Sequence, residues 1–512
     1  MSPSVPSDSD PSLPSLSDMT STDNEKHNVV TPTASGTASS VSSDLSTASQ
    51  GEAAANAASD DEQRWYYYLS PHAARRLPYY QYDGADTSHL YKYVLAPFAT
   101  WCVEKFTPTW IAPNTITLVG LGWMILSYCV IWFWCPGLYE ANTDLGAATP
   151  GYSVPGAIFL LNGCAMLIYQ TLDNMDGRQA RRTGSSSPLG LLFDHGCDAM
   201  NLILGSGNWI AAMAMVPGNV GDLLGSDDHG NIQSRSLLSE FFGGDATLAA
   251  LLILCPMVAF FVATWEQYYT GKLILPPFNG PSEGLVMGAC LSFASFLWGP
   301  MYWQTTSLAD GVVARAGLES LEGRVRNMDL IVLASVVGLA QEVALKMTFT
   351  VRNHGRRTLR SLVPQLLLVT FVFAMVHFDP TVFLRRPRTM MHLISGLFTE
   401  QTIQLMLDHM VGEKFQINRW CLLPAVAMSV LMVMGVSLAA ESTDAILEIY
   451  TSGLWVYLAF KTRVQLWEIC DVLGIWCFDI VTPHPKKLSD VGGDNIVEIS
   501  VPVVDGTTKK TN

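Results

Sequence analysis

The sequence predicts an all-α, polytopic membrane protein of about ten transmembrane helices with preceding interfacial helices. Apolar residues make up 49% of its 512 residues and charged residues only 15%, well below the roughly 25% of an ordinary soluble chain. Uncharged apolar runs long enough to cross a bilayer recur along it, and a helix satisfies its own backbone there. The formal charge of -15 lies largely outside those runs. Residues 1–62 hold ten Asp or Glu against one Lys, a net -9 that leaves -6 for the remainder. No acidic surface for basic partners follows from this, and no nucleic-acid partner is expected.

Residues 1–62, rich in Ser, Thr, Ala, Pro and Asp, cannot bury enough apolar surface to offset their ordering entropy, so a disordered cytosolic tail is expected. No cleavable secretory signal is expected in so polar a stretch. Residues 63–110 mix aromatic and basic groups, WYYYLSPHAARRLPYYQY and then LYKYVLAPFATWCVEKF, as amphipathic segments at a membrane interface do. A helix is predicted over 88–106, interrupted or started near Pro97, lying on the cytosolic leaflet or packed against the catalytic helices.

Spans are predicted at about 115–135, 154–172, 190–215, 246–265, 284–303, 329–350, 361–378, 390–408, 421–440 and 444–468, from apolar run length. The first five form a catalytic region over 111–305, and the others a further membrane region over 306–480. The sixth, eighth and tenth carry ionisable groups: Glu342 and Lys346, Glu400, and Glu448. Ten cysteines are scattered singly without metal-ligand or disulfide spacing, which reads as reduced, buried small hydrophobes.

Lys and Arg concentrate in cytosolic loops. The connector 173–190 holds three Arg and the loop 351–360 holds four, whereas 136–153 holds none. This puts the 173–190 connector and both termini in the cytosol. Two clusters disagree, Arg315 with Arg324 and Arg326, and Arg385 with Arg386 and Arg388. The cytosolic tail 481–512 ends in KKTN; Lys509 and Lys510 are either a receptor-read retention address or plain solvated charges.

One stretch carries the chemistry: Asp173 to Asp198, DNMDGRQARRTGSSSPLGLLFDHGCD. Acidic residues at the edge of a hydrocarbon slab are costly unless a cation or water compensates them. Asp173 and Asp176 are three apart at the end of one apolar segment, and Asp194 and Asp198 four apart at the start of the next, so each pair shares a helix face. A short connector makes the two helices antiparallel neighbours on which the pairs converge. Four carboxylates repel unless a hard divalent cation sits among them. Oxygen-only ligation suits Mg2+ or Mn2+, and four carboxylates suffice for two ions. Gly177 admits a ligand to the backbone, Gly190 allows close helix contact, Ala180 keeps the surface small, and Arg181 offers a fork for phosphate. Metal and arginine at a membrane imply a phosphorylated, pyrophosphate-bearing substrate. The competing explanation, helix capping or pairing with neighbouring arginines, accounts for one such Asp more readily than for four.

The spacing Asp173-x2-Asp176-Gly177-x2-Ala180-Arg181-x8-Gly190-x3-Asp194-x3-Asp198 resembles, without departure, the signature of the CDP-alcohol phosphotransferases. The wording QARRTGSSSPLG and FDHGCD is most similar to the eukaryotic choline/ethanolamine phosphotransferase branch, over roughly residues 65–480. The resemblance implies transfer of phosphocholine or phosphoethanolamine from CDP-choline or CDP-ethanolamine to the 3-hydroxyl of diacylglycerol, with release of CMP. It also implies a homodimer. Residence in the endoplasmic reticulum, with the Golgi as rival, follows from that reaction and the Lys-Lys pair.

His195, beside Asp194, has a pKa suited to a general base, and FDHGCD resembles the branch's catalytic-base motif; Asp198 is the competing base. Glu283, in FNGPSEG, resembles a glutamate the branch places near the site, with Glu266 as rival. Asn114, in APNTIT, resembles the family's nucleotide-proximal asparagine, or serves as a helix N-cap. Arg178 and Arg182 contact either phosphate or lipid headgroups. Two other functions remain open: transfer from another CDP-alcohol, and a non-enzymatic lipid transporter or scramblase, which would not need the four carboxylates.

Overall fold

Each of the ten apolar stretches folds as a helix. The computed structural model describes residues 66–143, 153–216, 236–436 and 438–486; the expected tail over 1–62 and the Lys-Lys pair lie outside these. Ahead of the first stretch come α1 (Pro71–Arg76), β1 (Gly84–Asp86) and α2 (Ala96–Phe106). The catalytic region contains α3 (Pro113–Trp134), α4 (Ala157–Thr183), α5 (Pro188–Ala212), the short α6 (Leu237–Phe242), α7 (Asp245–Thr270), β2 (Leu273–Leu275) and α8 (Leu285–Trp298). Then follow α9 (Ser307–Arg315), α10 (Asn327–His354), α11 (Val363–Phe378), α12 (Val382–Arg385), α13 (Pro387–Val411), α14 (Leu423–Val433) and α15 (Ala440–Leu473). β1 and β2 pair in parallel, Gly84 opposite Leu273.

By length and composition, four helices among the described residues are able to cross a membrane: Pro113–Trp134, Asp245–Thr270, Asn327–His354 and Arg356–Phe378. A fifth is added if Gly280–Trp298 and Pro300–Arg315, bent by 108°, form one broken span. The other long helices, α4, α5, α13 and α15, carry ionisable side chains along the bundle interior, which lowers their mean apolarity. The architecture is that of an all-α membrane protein.

The predicted helix over 88–106 is present, and its α-helical part starts near Pro97 as expected: a π-helical turn over Tyr91–Leu95 runs directly into α2, which begins at Ala96 with Pro97 in its first turn. Ala99 and Val103 of α2 pack on Ile116 of α3 and Met175 of α4, while Phe98, Trp101 and Phe106 stay exposed. One face therefore packs on the catalytic helices and the other presents aromatic rings suited to a membrane interface.

Within the catalytic region, α4 packs chiefly against α3 and α8, and α5 against α3 and α13. A buried polar knot ties four of these helices. Asn162 of α4 accepts from Ser127 of α3 (2.9 Å) and from Asn208 of α5 (2.8 Å), and donates to Ser292 of α8 (2.8 Å). In an apolar surrounding these hydrogen bonds fix register, which the smooth apolar faces alone would leave free.

Most of α13's 25 residues are buried, so its polar groups need partners. Glu400 takes Lys461 of α15 at 2.7 Å and the guanidinium of Arg419. Lys346 pairs with Glu266 of α7 at 2.6 Å and Glu448 with Arg386 at 2.6 Å, whereas Glu342 forms no ion pair among the described residues. Five of the six arginines that disagreed with the loop-charge reading, all but Arg315, are engaged structurally. Arg326 binds Asp245 and Asp329, Arg385 binds Asp379 and Asp444, and Arg388 donates to the Cys135 and Pro136 carbonyls.

Replacing one partner of a buried ion cluster strands the others, at a cost of about 3–5 kcal/mol; leaving a neutral buried group unpaired costs about 1–3 kcal/mol. Thermal unfolding in detergent should therefore show Glu400→Leu lowering the melting temperature more than Asn162→Leu, with both below wild type. The reverse order would mean that the Glu400 cluster is not the stronger tie.

Candidate functional site

The helix α4 does not end where its apolar run ends. It continues through Asp173 and Asp176 to Thr183, so the expected connector is a loop of only four residues, Gly184–Ser187. Gly184 caps α4 in the left-handed conformation, φ 67°, which glycine adopts without strain. Ser187 caps α5 by accepting from the Gly190 N–H at 3.2 Å, and Pro188 occupies the first turn. This tight turn brings the two acidic pairs together.

Asp173, Asp194 and Asp198 each direct one carboxylate oxygen into a group whose atoms lie within 4.8 Å of one another. Asp198 accepts the Tyr169 hydroxyl at 2.5 Å. One buried oxygen on each of Asp173 and Asp194 has no hydrogen-bond partner. Asp176 falls outside that oxygen group but stays beside Asp194, its oxygens taking the Thr117 hydroxyl and the Gly177 N–H. Among the described residues, no Lys or Arg forms an ion pair with any of the four. Oxygen-only donors, unpartnered carboxylate oxygens and missing counter-charge fit a hard divalent cation, which Asp173, Asp194 and Asp198 could hold between them.

His195 is buried, its Nδ1 has no hydrogen-bond partner, and its ring lies 5.8 Å from that of Phe260 on α7. Arg181 is exposed and makes no ion pair among the described residues; its Nη1 would lie 3.4 Å from a Cβ added at Gly177. Ala180 contributes its carbonyl to the turn, accepting from Ser185 at 2.9 Å. A Cβ at Gly190 would sit 3.5 Å from Asn114 Oδ1, so the close contact at Gly190 is with the start of α3. Asn114 is not an N-cap: Ala112 holds that position, and Asn114 donates instead to the Cys477 carbonyl at 2.9 Å.

Two alternatives are resolved by contacts. Arg182 donates to the Val103 and Thr107 carbonyls at 2.7 and 2.8 Å. Arg178 donates to the Asn174 carbonyl and Thr100 hydroxyl and lies over the Tyr91 ring. Both hold α2 to α4. Glu266 is committed to Lys346. The Glu283 carboxylate accepts from the Asn279 N–H at 2.9 Å and from the Ser88 hydroxyl, capping its own turn and tying it to the N-terminal segment. Gln170, one turn before Asp173, holds that turn through the Pro281 and Ser282 carbonyls.

The chain is 30% identical over 430 residues to choline/ethanolaminephosphotransferase 2 of Arabidopsis thaliana, an alignment covering 81% of this chain and 98% of the relative. It is 28% identical over 442 residues to uncharacterized CDP-alcohol phosphatidyltransferase class-I family protein 3 of Dictyostelium discoideum, covering 81% and 99%. The chain belongs to the CDP-alcohol phosphatidyltransferase class-I family. Ethanolaminephosphotransferase 1 of Homo sapiens is 29% identical over 441 residues, covering 83% of this chain and 97% of the relative. No protein-family model matches the chain. Membership in this family agrees with the acidic cluster and with the apolar helices that carry it.

Tyr169 and Thr117 are site residues that the motif alone does not reveal. Tyr169 is four residues before Asp173 on the same helix face, a spacing that sequence does show; Thr117 reaches Asp176 only through the α3–α4 packing. Groups that orient ligating carboxylates typically change metal affinity about 10–100-fold when removed. Tyr169→Phe and Thr117→Val should each weaken Mn2+ binding about tenfold or more in a calorimetric titration of the detergent-solubilised protein. Unchanged affinity in both would show that these hydroxyls do not support a metal site.

Proposed function

We propose that this protein is a divalent-cation-dependent phosphotransferase. It moves phosphocholine or phosphoethanolamine from the CDP derivative to the 3-hydroxyl of diacylglycerol, forming phosphatidylcholine or phosphatidylethanolamine and releasing CMP. The observation that carries this reading is the convergence of Asp173, Asp194 and Asp198 in a chain 30% identical to a relative named choline/ethanolaminephosphotransferase. A transporter or scramblase would have no use for three carboxylates so placed.

The four aspartates would hold one or two Mg2+ or Mn2+ ions, which would neutralise the diphosphate and the departing CMP. Arg181, unpaired and exposed, supplies a fork for phosphate oxygens, and Gly177 and Ala180 leave the space beside it clear. Asn114, braced by Cys477, lines the nucleotide side. His195 takes the proton of the acceptor hydroxyl as that oxygen bonds to the headgroup-bearing phosphorus and the bond to CMP breaks. Asp198, already engaged by Tyr169 within the acidic trio, is the weaker choice of base. Glu283, held by Ser88 and Asn279, enters as a positioning residue.

In this reading the chain crosses the membrane ten times, with residues 111–305 catalytic and 306–480 a supporting membrane region. The site and both termini face the cytosol, where the nucleotide is available, and the protein acts as a homodimer in the endoplasmic reticulum membrane, or the Golgi.

Purified protein given CDP-choline or CDP-ethanolamine, diacylglycerol and Mg2+ should release CMP; a folded sample inert towards every CDP-alcohol would contradict the assignment. Asp194→Ala should abolish turnover with an unchanged circular dichroism spectrum. His195→Ala should lower kcat by about 10²–10⁴-fold, and a wild-type rate would place the base elsewhere. Competition between the two CDP-alcohols reads the headgroup preference.

A further inference from the structure

A buried polar group without a hydrogen-bond partner costs about 1–3 kcal/mol, so several around one space mark a place suited to a polar ligand. Such a set is formed by Gln267, Tyr80 and His409. Gln267, in the last turn of α7, is fully buried, and neither its amide oxygen nor its amide nitrogen has a partner. The Tyr80 hydroxyl, between α1 and β1, faces that amide without closing a hydrogen bond, and is likewise buried and unpartnered. The His409 ring of α13 meets the Tyr80 ring edge-on at 5.6 Å, and its Nε2 is a third such atom. His409 lies within electrostatic reach of His195.

The chemistry of this set selects its ligand. Tyr80 and Gln267 are neutral, and no Lys or Arg pairs with any member among the described residues. An anion would call for such a cation. A cationic headgroup would call for a carboxylate facing the set, but the neighbouring Asp408 lies on the side of the Glu400–Arg419–Lys461 cluster, one oxygen accepting from Gln404 at 2.8 Å and the other buried without a hydrogen-bond partner. Tyr268 adds only its ring, since its hydroxyl is engaged by the Glu413 carbonyl and Phe415 N–H. An amide, a phenol and an imidazole together match a neutral molecule that carries both a hydroxyl and carbonyl oxygens.

We propose that Tyr80, Gln267 and His409 form a subsite for the glycerol-ester end of the neutral acceptor lipid. Tyr80 and Gln267 donate to its ester carbonyls and so position the free hydroxyl at His195. This rests on the phosphotransferase reading above. The three are positioning residues: they orient the acceptor and take no proton from it.

The test is the kinetics of CMP release by the full-length protein in mixed micelles. Dioleoylglycerol is varied at saturating CDP-alcohol, and then the reverse. Gln267→Met keeps the volume and removes the amide; Tyr80→Phe removes only the hydroxyl. Each should raise KM for dioleoylglycerol about 3–10-fold, the loss of one or two hydrogen bonds, and leave KM for the CDP-alcohol unchanged. That unchanged value also shows that the variants are folded. An unaltered lipid KM in both variants, or a rise confined to the CDP-alcohol, overturns the subsite. If the wild type releases no CMP, the phosphotransferase reading falls, and labelling by a photoactivatable diacylglycerol decides the subsite separately. Labelling at least about threefold weaker in both variants supports it, and labelling at the wild-type level overturns it.

Discussion

Three carboxylate oxygens within 4.8 Å of one another, on helices in an apolar bundle, are the constraint on which the rest of this structure depends. Like charges that close cannot all remain ionised without a cation among them, and no arginine or lysine of the described chain supplies one by pairing. The helices cannot relieve the repulsion by drawing apart, because the Asn162 knot locks α3, α4, α5 and α8 to one another. The four-residue turn at Gly184–Ser187 joins the two acidic helix ends. The fold thus holds an uncompensated negative cluster in place, and a divalent cation would offset it.

The outer parts serve that arrangement. Arg178 and Arg182 fasten α2 to α4, and the β1–β2 pairing with the Ser88–Glu283 contact fastens the preceding segment to the turn before α8. The second half carries its own buried charges, but these are internally balanced: Glu400 by Arg419 and Lys461, Asp444 by Arg385 and Arg386. Balanced charge braces helices against each other. Among the described residues Asp408 and Glu468 are also buried without an ion pair, but each stands singly; the convergence of several unpaired carboxylates is what marks the site.

Much of this was legible in the sequence because it depends on local periodicity. Apolar runs mark the helices, and spacings of three and four put Asp173 with Asp176 and Asp194 with Asp198. What was not legible depends on which helices touch. Arg178 and Arg182 read equally as phosphate or headgroup ligands until α2 is seen lying across them. Glu283 reads from the sequence only as a carboxylate near the site; its contact with Ser88 depends on tertiary packing. Asn114 fits an N-cap by type, yet the helix begins two residues earlier because Pro113 suits its first turn. The Thr117 hydroxyl that engages Asp176 likewise reaches it only through tertiary packing.

The measurement that tests the central claim most directly is the number of Mn2+ ions bound per chain by the full-length protein, read by electron paramagnetic resonance. The account predicts one or two bound ions in the wild type and a loss of binding in Asp173→Asn and Asp194→Asn, with the helical circular dichroism signal retained. Wild-type protein that binds no Mn2+, or an Asp194→Asn variant that binds it as the wild type does, would contradict the account.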